Sequence, residues 1–287
     1  MMKWFVVPLF FAMSHSFAQS SNDNIPYLLG DSIQHINFHD LEEISGIALG
    51  KTYPERIYAH NDSGGEPKIF VLDTLGNRLG EILLEGVANR DWEEIAVGPD
   101  GNGSSSVYIG EIGDNLAQHG YIEVYRFTEP TELNQKVIPE KVRLTYPDGP
   151  MDAEAMIVDP ISGELFIFSK RDEKNTVFTM GMDAFQQGEA VLTKVGNLPF
   201  TGAVAADISK DGSQILIKTY FMIYYWGRNE DETVMEALSR NPVELPYSPE
   251  PQGEAIGFNA DASAFYTLSE KRFEFIPVLY RYPANHK

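Results

Sequence analysis

A chain of 287 residues with 42 acidic and 22 basic side chains has a formal net charge of −20. Such a surface repels phosphate backbones and anionic lipid, which argues against nucleic acid and membrane surfaces as partners. With no cysteine anywhere, the chain can carry neither a disulfide nor a lipoprotein anchor, so it is held together by packing alone.

The N-terminus sets the expected compartment. Met1-Met2-Lys3 gives a short positive start, residues 4–13 are almost wholly apolar, and Ser16-Phe17-Ala18 ends in the small residues that a signal peptidase accepts. A membrane span needs about twenty apolar residues, and Ser14, His15 and Ser16 interrupt this stretch too early. Residues 1–18 therefore read as a signal peptide cut after Ala18, residues 19–26 as a short linker and residues 27–287 as one domain, periplasmic or secreted. No later segment is apolar enough to insert into a membrane.

Further along, one short motif recurs: a small or acidic residue, then an apolar one, then Ala or Gly. It appears as Ser45-Gly46-Ile47-Ala48, Glu93-Glu94-Ile95-Ala96, Glu154-Ala155-Met156-Ile157 and Glu254-Ala255-Ile256-Gly257, with a weaker copy at Ala203-Val204-Ala205-Ala206. Taking Ser45, Glu93, Glu154, Val204 and Glu254 as markers, the spacings are 48, 61, 50 and 50 residues. Units of about fifty residues fit the four-stranded blades of a β-propeller. The predicted fold is therefore all-β, a five-bladed propeller. A sixth blade is possible only if the 61-residue unit hides extra strands, and two packed sandwiches would not explain the recurrence.

Within each unit the marker begins a first strand, which a turn such as Gly98-Pro99-Asp100-Gly101, Lys210-Asp211-Gly212 or Asn259-Ala260-Asp261 separates from a second. Second strands are expected from Ile57, Val107, Leu165, Ile215 and Phe265. Third strands are expected at 68–73, 121–127, 176–182, 222–226 and 277–282, where aromatic and β-branched residues concentrate. Fourth strands are expected at 78–84, 141–146 and 190–195, while 233–241 reads equally as a strand or a short helix. The fifth unit has only three strands before the chain ends. The unassigned strand within 27–38 is expected to complete it and close the ring, leaving no open edge.

In a propeller the start of each first strand and the end of each second strand reach the same face. That face should collect Ser45, Asp91, Glu93, Asp152, Glu154, Thr201 and Glu254 with His60-Asn61-Asp62, Glu111, Asp114-Asn115, Lys170-Arg171, Lys218-Thr219-Tyr220 and Glu270-Lys271. Carboxylates in matching register around one axis raise one another's pKa unless a cation or basic groups compensate. Calcium is the expected cation because it tolerates irregular cages of oxygen ligands; protonated or water-bridged carboxylates are the alternative. The expected metal residues are Ser45, Glu93, Glu154 and Glu254. Lys170, Lys218 and Lys271 serve either to bind an anionic ligand or merely to balance the acidic mouth, and His60 is equally a structural histidine.

The ring of Ser45, Glu93, Glu154 and Glu254, set in "EISGIA", "WEEIAV", "DAEAMI" and "GEAIGF", resembles the axial calcium ring of the calcium-activated nucleotidase (apyrase) propellers. That family has Ser, Glu, Glu, Ser and Glu at the five positions. The fourth position departs, since Ala203 or Val204 stands where the second Ser would be and only Thr201 or water could substitute. "HNDSG", "DWEEIA", "GEIGDN", "DAEAM" and "KTY" are similar to motifs of a broad, uncharacterised group of exported bacterial propellers. "YIGE" is more distantly similar to motifs of the β-propeller phytases, which bind calcium and cleave phosphate esters.

Two functions follow as expectations. One is a calcium-dependent hydrolase of phosphate esters, with Asp62, Glu111 and His60 as catalytic candidates. Its candidate substrate contacts are Asn61, Asp114, Asn115, Lys170, Arg171, Lys218, Tyr220, Glu270 and Lys271. The other is a non-catalytic propeller that binds a small, anionic molecule or a protein. Glycoside hydrolysis by paired carboxylates is permitted but needs a separation that sequence does not give. "HNDSG" lacks the strand-to-helix context of a serine nucleophile, and no Gly-rich phosphate loop, zinc spacing or dinucleotide fingerprint is present.

Overall fold

Where five strands must converge on one axis, side chains have to be small or apolar, and the first strand of each repeat meets that requirement. The inner strands are Ile44–Leu49, Trp92–Pro99, Ala153–Val158, Ala205–Ile208 and Ala255–Phe258, buried along almost their whole length. Each touches the next, and the last touches the first, in a closed circle. A Cβ on Gly257 would stand 2.9 Å from Leu49 Cδ1 in the neighbouring inner strand, which is why no side chain fits there. The computed structural model describes residues 25–286; the predicted signal peptide and most of the predicted linker lie outside them.

Each inner strand is followed by an antiparallel meander, so that five sheets form five blades. Second strands are Arg56–Asn61, Ser105–Glu111, Leu165–Ser169, Gln214–Lys218 and Ala264–Leu268. Third strands are Lys68–Asp73, Ile122–Thr128, Thr176–Met180, Ile223–Gly227 and Val278–Pro283. Carboxylates hold the first hairpins: Asp100 Oδ1 accepts from the amides of Asn102 and Ser104 at 2.7 and 3.0 Å, while Asp211 Oδ1 accepts from Ser213 at 3.0 Å. This is the Asx-turn chemistry for which such sequences are selected.

The outer strands show what the sequence left ambiguous. Arg78–Leu84 and Glu140–Thr145 lie where expected. The predicted strand at 190–195 divides between two blades. Glu189–Val191 pairs in parallel with Glu140–Thr145 of blade two, and Thr193–Asn197 is the outer strand of blade three. Residues 233–241 contain the helix Val234–Leu238, started by a capping box in which Thr233 and Glu236 satisfy each other's backbone amides. The outer strand of blade four is only Val243–Glu244. The long 61-residue unit hides no sixth blade, because its surplus includes Gln135–Val137, which pairs in parallel with Arg78–Leu84 of blade one.

The N-terminal strand closes the ring as its sequence suggests. Asp31–His35 runs antiparallel to Val278–Pro283, from Asp31 opposite Arg281 to His35 opposite Val278. Tyr27 bridges to Ala284, and its buried hydroxyl lies 2.8 Å from Gln214 Oε1 and 2.7 Å from the Ala262 carbonyl. Apolar packing is divided into five wedges, one between each pair of adjacent blades, and Tyr27 belongs to the wedge between blades four and five. Among the described residues no helix is long and apolar enough to cross a membrane.

Candidate functional site

Three residues of the predicted ring share an exact backbone feature. In blade one Ile44 pairs with Asn61 and Gly46 with His60, so Ser45 has no partner. In blade two the register skips Glu93 between Trp92 and Glu94, and in blade three it skips Glu154 between Ala153 and Ala155. Each is the extra residue of a β-bulge, a device that re-aims one side chain without breaking the sheet. Glu254 immediately precedes the fifth inner strand. All four are nearly fully buried. At the marker position of the fourth blade Ala203 and Val204, both buried, offer no side-chain oxygen, and the Thr201 hydroxyl lies against the carbonyls of Lys170 and Asp172.

The ring is not a symmetric cage. Ser45 Oγ donates toward Glu93, lying 3.2 Å from its carbonyl and 3.3 Å from Oε2. Glu93 then meets two half-buried aspartates, and carboxylate oxygens of Asp62, Asp91 and Glu93 lie within 4.8 Å of one another. Asp91 and Glu93 meet over Gly113, where a Cβ would come 2.5 Å from Asp91 Oδ2 and closer still to Glu93 Oε1. Asp91 was legible as a residue of this face but lay outside the predicted metal set.

At the same mouth, Lys170 Nζ donates to Glu154 Oε1 and lies 3.0 Å from the Tyr220 hydroxyl, which in turn donates to Glu254 Oε1. Glu154 Oε2 is buried with no hydrogen-bond partner among the described residues, as is Asp62 Oδ1.

The electrostatics follow from this crowding. Burial, then Glu154, Asp62 and Asp91, hold the Glu93 carboxyl well above the usual range. Asp62 is pushed up to about 7 by burial and by Asp91 and Glu254. Glu154 rises to about 8 through burial, Lys170 opposing and Glu254 reinforcing it. Glu270 also rises to about 8, from burial and the nearby Glu254. A cation would reverse this logic by favouring the ionised forms.

The remaining candidates are distributed unevenly. His60 is fully buried edge-on to Trp92, its Nδ1 2.9 Å from the Asn61 carbonyl; burial lowers its pKa to about 4. Glu111 accepts from the Tyr125 hydroxyl at 3.1 Å and pairs with Arg90 at 3.5 Å. Asn61 holds a loop, its Nδ2 donating to the Asp40 carbonyl at 2.9 Å. Asp114 accepts from the amides of Gln118 and His119, at 2.9 and 2.7 Å. Arg171 reaches Asp152 at 2.5 Å and also donates to Asn115. Lys218 is fully buried, donating to the Gly253 carbonyl beneath the Tyr247 ring. Lys271 pairs with Glu42 at 2.5 Å, and Glu270 with Arg272 at 3.0 Å.

Deeper in the axis lie two carboxylates that sequence reasoning did not assign to the site. Glu94 Oε2 accepts from the Ala206 amide at 2.8 Å, and Asp207 Oδ2 from the Phe258 amide at 2.7 Å. They join inner strands to one another rather than face the mouth.

No protein-family model matches the chain, and no curated protein matches it in sequence. Among solved structures, Kuenenia stuttgartiensis hydrazine synthase aligns over 78% of this chain and 80% of its own, at 11% identity and a TM-score of 0.45. A nidogen/laminin complex aligns over 82% of this chain and 75% of the other, at 14% identity and a TM-score of 0.46. Similarity this low carries no functional information, and the nucleotidase and phytase resemblances gain nothing from it.

Proposed function

We propose that this is a calcium-binding propeller in which Asp62, Asp91 and Glu93 hold the ion, and that the loaded face binds a small anionic ligand. The observation that carries this reading is the convergence of three carboxylates within 4.8 Å of one another, two of them, Asp91 and Glu93, against the bare backbone of Gly113. The unpartnered Glu154 Oε2 stands nearby as a further acceptor, Glu154 being the charge that bears most strongly on Glu93. An all-oxygen donor set selects a hard cation, and its irregular arrangement suits calcium better than octahedral magnesium. No histidine or cysteine belongs to the group, so the soft or borderline metals have no advantage. The site is displaced from the ring expected from sequence: Glu93 is common to both, Ser45 orients Glu93, and Lys170 and Tyr220 engage Glu154 and Glu254. Export through the 1–18 signal peptide would suit it, since extracellular modules bind calcium with Kd of roughly 10⁻⁴–10⁻³ M.

Hydrolysis of phosphate esters is the second reading. Lys170 favours it: its ammonium, at the same mouth, could neutralise a phosphoryl group bridging to the metal. Assaying phosphomonoesters, phosphodiesters and nucleotides with and without calcium separates the two. Calcium-dependent turnover identifies a hydrolase. Saturable, calcium-dependent phosphate binding without turnover identifies a binding protein, and neither result with any substrate removes the ligand-binding reading altogether.

A further inference from the structure

The acidic mouth is one end of the axis. At the other end, where the inner strands run out into their hairpins, blades one to four line a half-open cavity of about 240 Å³. Its walls include Val97, Pro99, Val158 and Ile208, and Lys51 and Ser105 bring polar atoms to them. Lys51 is fixed at its backbone, its amide donating to Glu129 Oε1 at 3.2 Å and its carbonyl accepting from Lys210 Nζ at 3.0 Å. Its side chain is only 7% exposed, and Nζ stands 3.9 Å from Asp207 Oδ2, beyond hydrogen-bonding distance. Asp207 is already occupied by the amides of Ile208 and Phe258, at 2.8 and 2.7 Å. Among the described residues the Lys51 ammonium thus has no hydrogen-bond partner, and the buried Ser105 Oγ has none either. An ammonium carries three donors, and leaving them unused in a desolvated place is costly.

We propose that this cavity binds a small monocarboxylate with an apolar body, its carboxylate on Lys51 Nζ and Ser105 Oγ and its hydrocarbon against Val97, Val158 and Ile208. The volume lies below the ~300–1,000 Å³ of drug-sized sites, so the occupant is small. Lys210 also lines the cavity but is exposed, its ammonium donating to the Lys51 carbonyl, so the one buried cation, with Asp207 nearby, suits a single negative charge and disfavours a phosphate dianion. The inner strand between the two ends is six residues long in blade one, roughly 20 Å at ~3.3 Å per residue, so this site does not depend on the metal face.

Saturation-transfer NMR with hexanoate, hexanol and hexylamine on the full chain tests the assignment. Hexanoate should show transfer that the alcohol and the amine do not. Lys51→Met, and Ser104→Trp at the exposed rim, should each weaken binding about tenfold or more, the range expected for losing a charged hydrogen bond or blocking the entrance. Lys51→Arg should retain it, and neither a chelator nor Asp91→Asn should change it. No transfer from hexanoate at millimolar concentration would overturn the proposal. So would transfer undiminished in both Lys51→Met and Ser104→Trp, or matched by hexanol.

Discussion

The carboxylate of Glu94 in blade two reaches the backbone of Ala206 in blade four, 112 residues along the chain, accepting from its amide at 2.8 Å. Its other oxygen accepts from its own neighbour, Ile95, at 3.0 Å. Glu94 is fully buried, and burial lifts its pKa well above the usual carboxylate range despite these bonds. It therefore ties non-adjacent blades together through the axis.

Replacing Glu94 with Gln keeps the shape but presents an amide NH₂ where an oxygen accepted a backbone hydrogen. One buried N–H is then left without a partner, at a cost of about 1–3 kcal/mol. Urea denaturation should show that loss as a lower midpoint with an unchanged slope. An unaltered midpoint would mean that the bond across the axis contributes nothing to stability.

Ring closure gives a larger effect. Truncation through Phe38 removes Asp31–His35 from the edge of blade five and Tyr27 from its wedge. It should therefore destabilise the domain far more than loss of a free tail. Thermal melting of the truncated chain checks this, and a melting temperature equal to that of the full chain would contradict it.

The architecture was readable because it rests on local patterns repeated five times. Marker, turn and apolar run recur at each blade, and residues 27–38 stood out as a strand with no other place to go. The short parallel strand Gln135–Val137 was not readable, and 190–195 reads as one strand although Glu189–Val191 joins the neighbouring blade, since parallel pairing across blades leaves no local pattern. The bulges at Ser45, Glu93 and Glu154 explain why polar residues stand within apolar strands. Sequence gives their register but not how deep each side chain ends. For that reason Asp91 and Glu93 meet Asp62, whereas Glu154 and Glu254 are engaged by Lys170 and Tyr220.

Asp159 and Arg228 join the first hairpin of blade three to blade four by a two-pronged buried pair, at 2.7 and 3.1 Å. Burial alone would raise the Asp159 pKa, but Arg228, Ser162 and backbone amides lower it overall. A depressed folded pKa stabilises the protein above the unfolded carboxylate value of ~3.9 and loses that contribution as pH falls through the folded value. Asp159→Asn should cost about 3 kcal/mol at neutral pH, the scale of a broken buried pair. Denaturation curves at several pH values should show the gap to wild type closing below pH ~4. A gap independent of pH would rule out the ion pair as its source.

Lys218 also has a depressed pKa, but here folding penalises the charged form rather than favouring it. Burial lowers its pKa to about 8, with Glu250 and Glu254 opposing. The unfolded chain therefore binds more protons between about 8 and ~10.4, and stability should rise with pH across that window. Wild type should gain on Lys218→Met there by at most about 1.4 kcal/mol per pH unit. Parallel stability profiles for the two proteins would show that Lys218 titrates normally.

Calcium binding by Asp62, Asp91 and Glu93 can be measured by isothermal titration of chelator-treated protein with calcium, comparing wild type with Asp91→Asn and Gly113→Ala. Asp91→Asn removes a ligand charge, and Gly113→Ala drives a methyl group against both Asp91 and Glu93. Wild type should show one calcium site and weaker binding of magnesium, and each variant should lose at least about tenfold in affinity. Bound calcium should also stabilise the fold by about 2.7 kcal/mol at a hundred times its Kd. Absence of calcium heat in wild type, together with a melting curve that neither chelator nor calcium moves, would contradict calcium binding at this site.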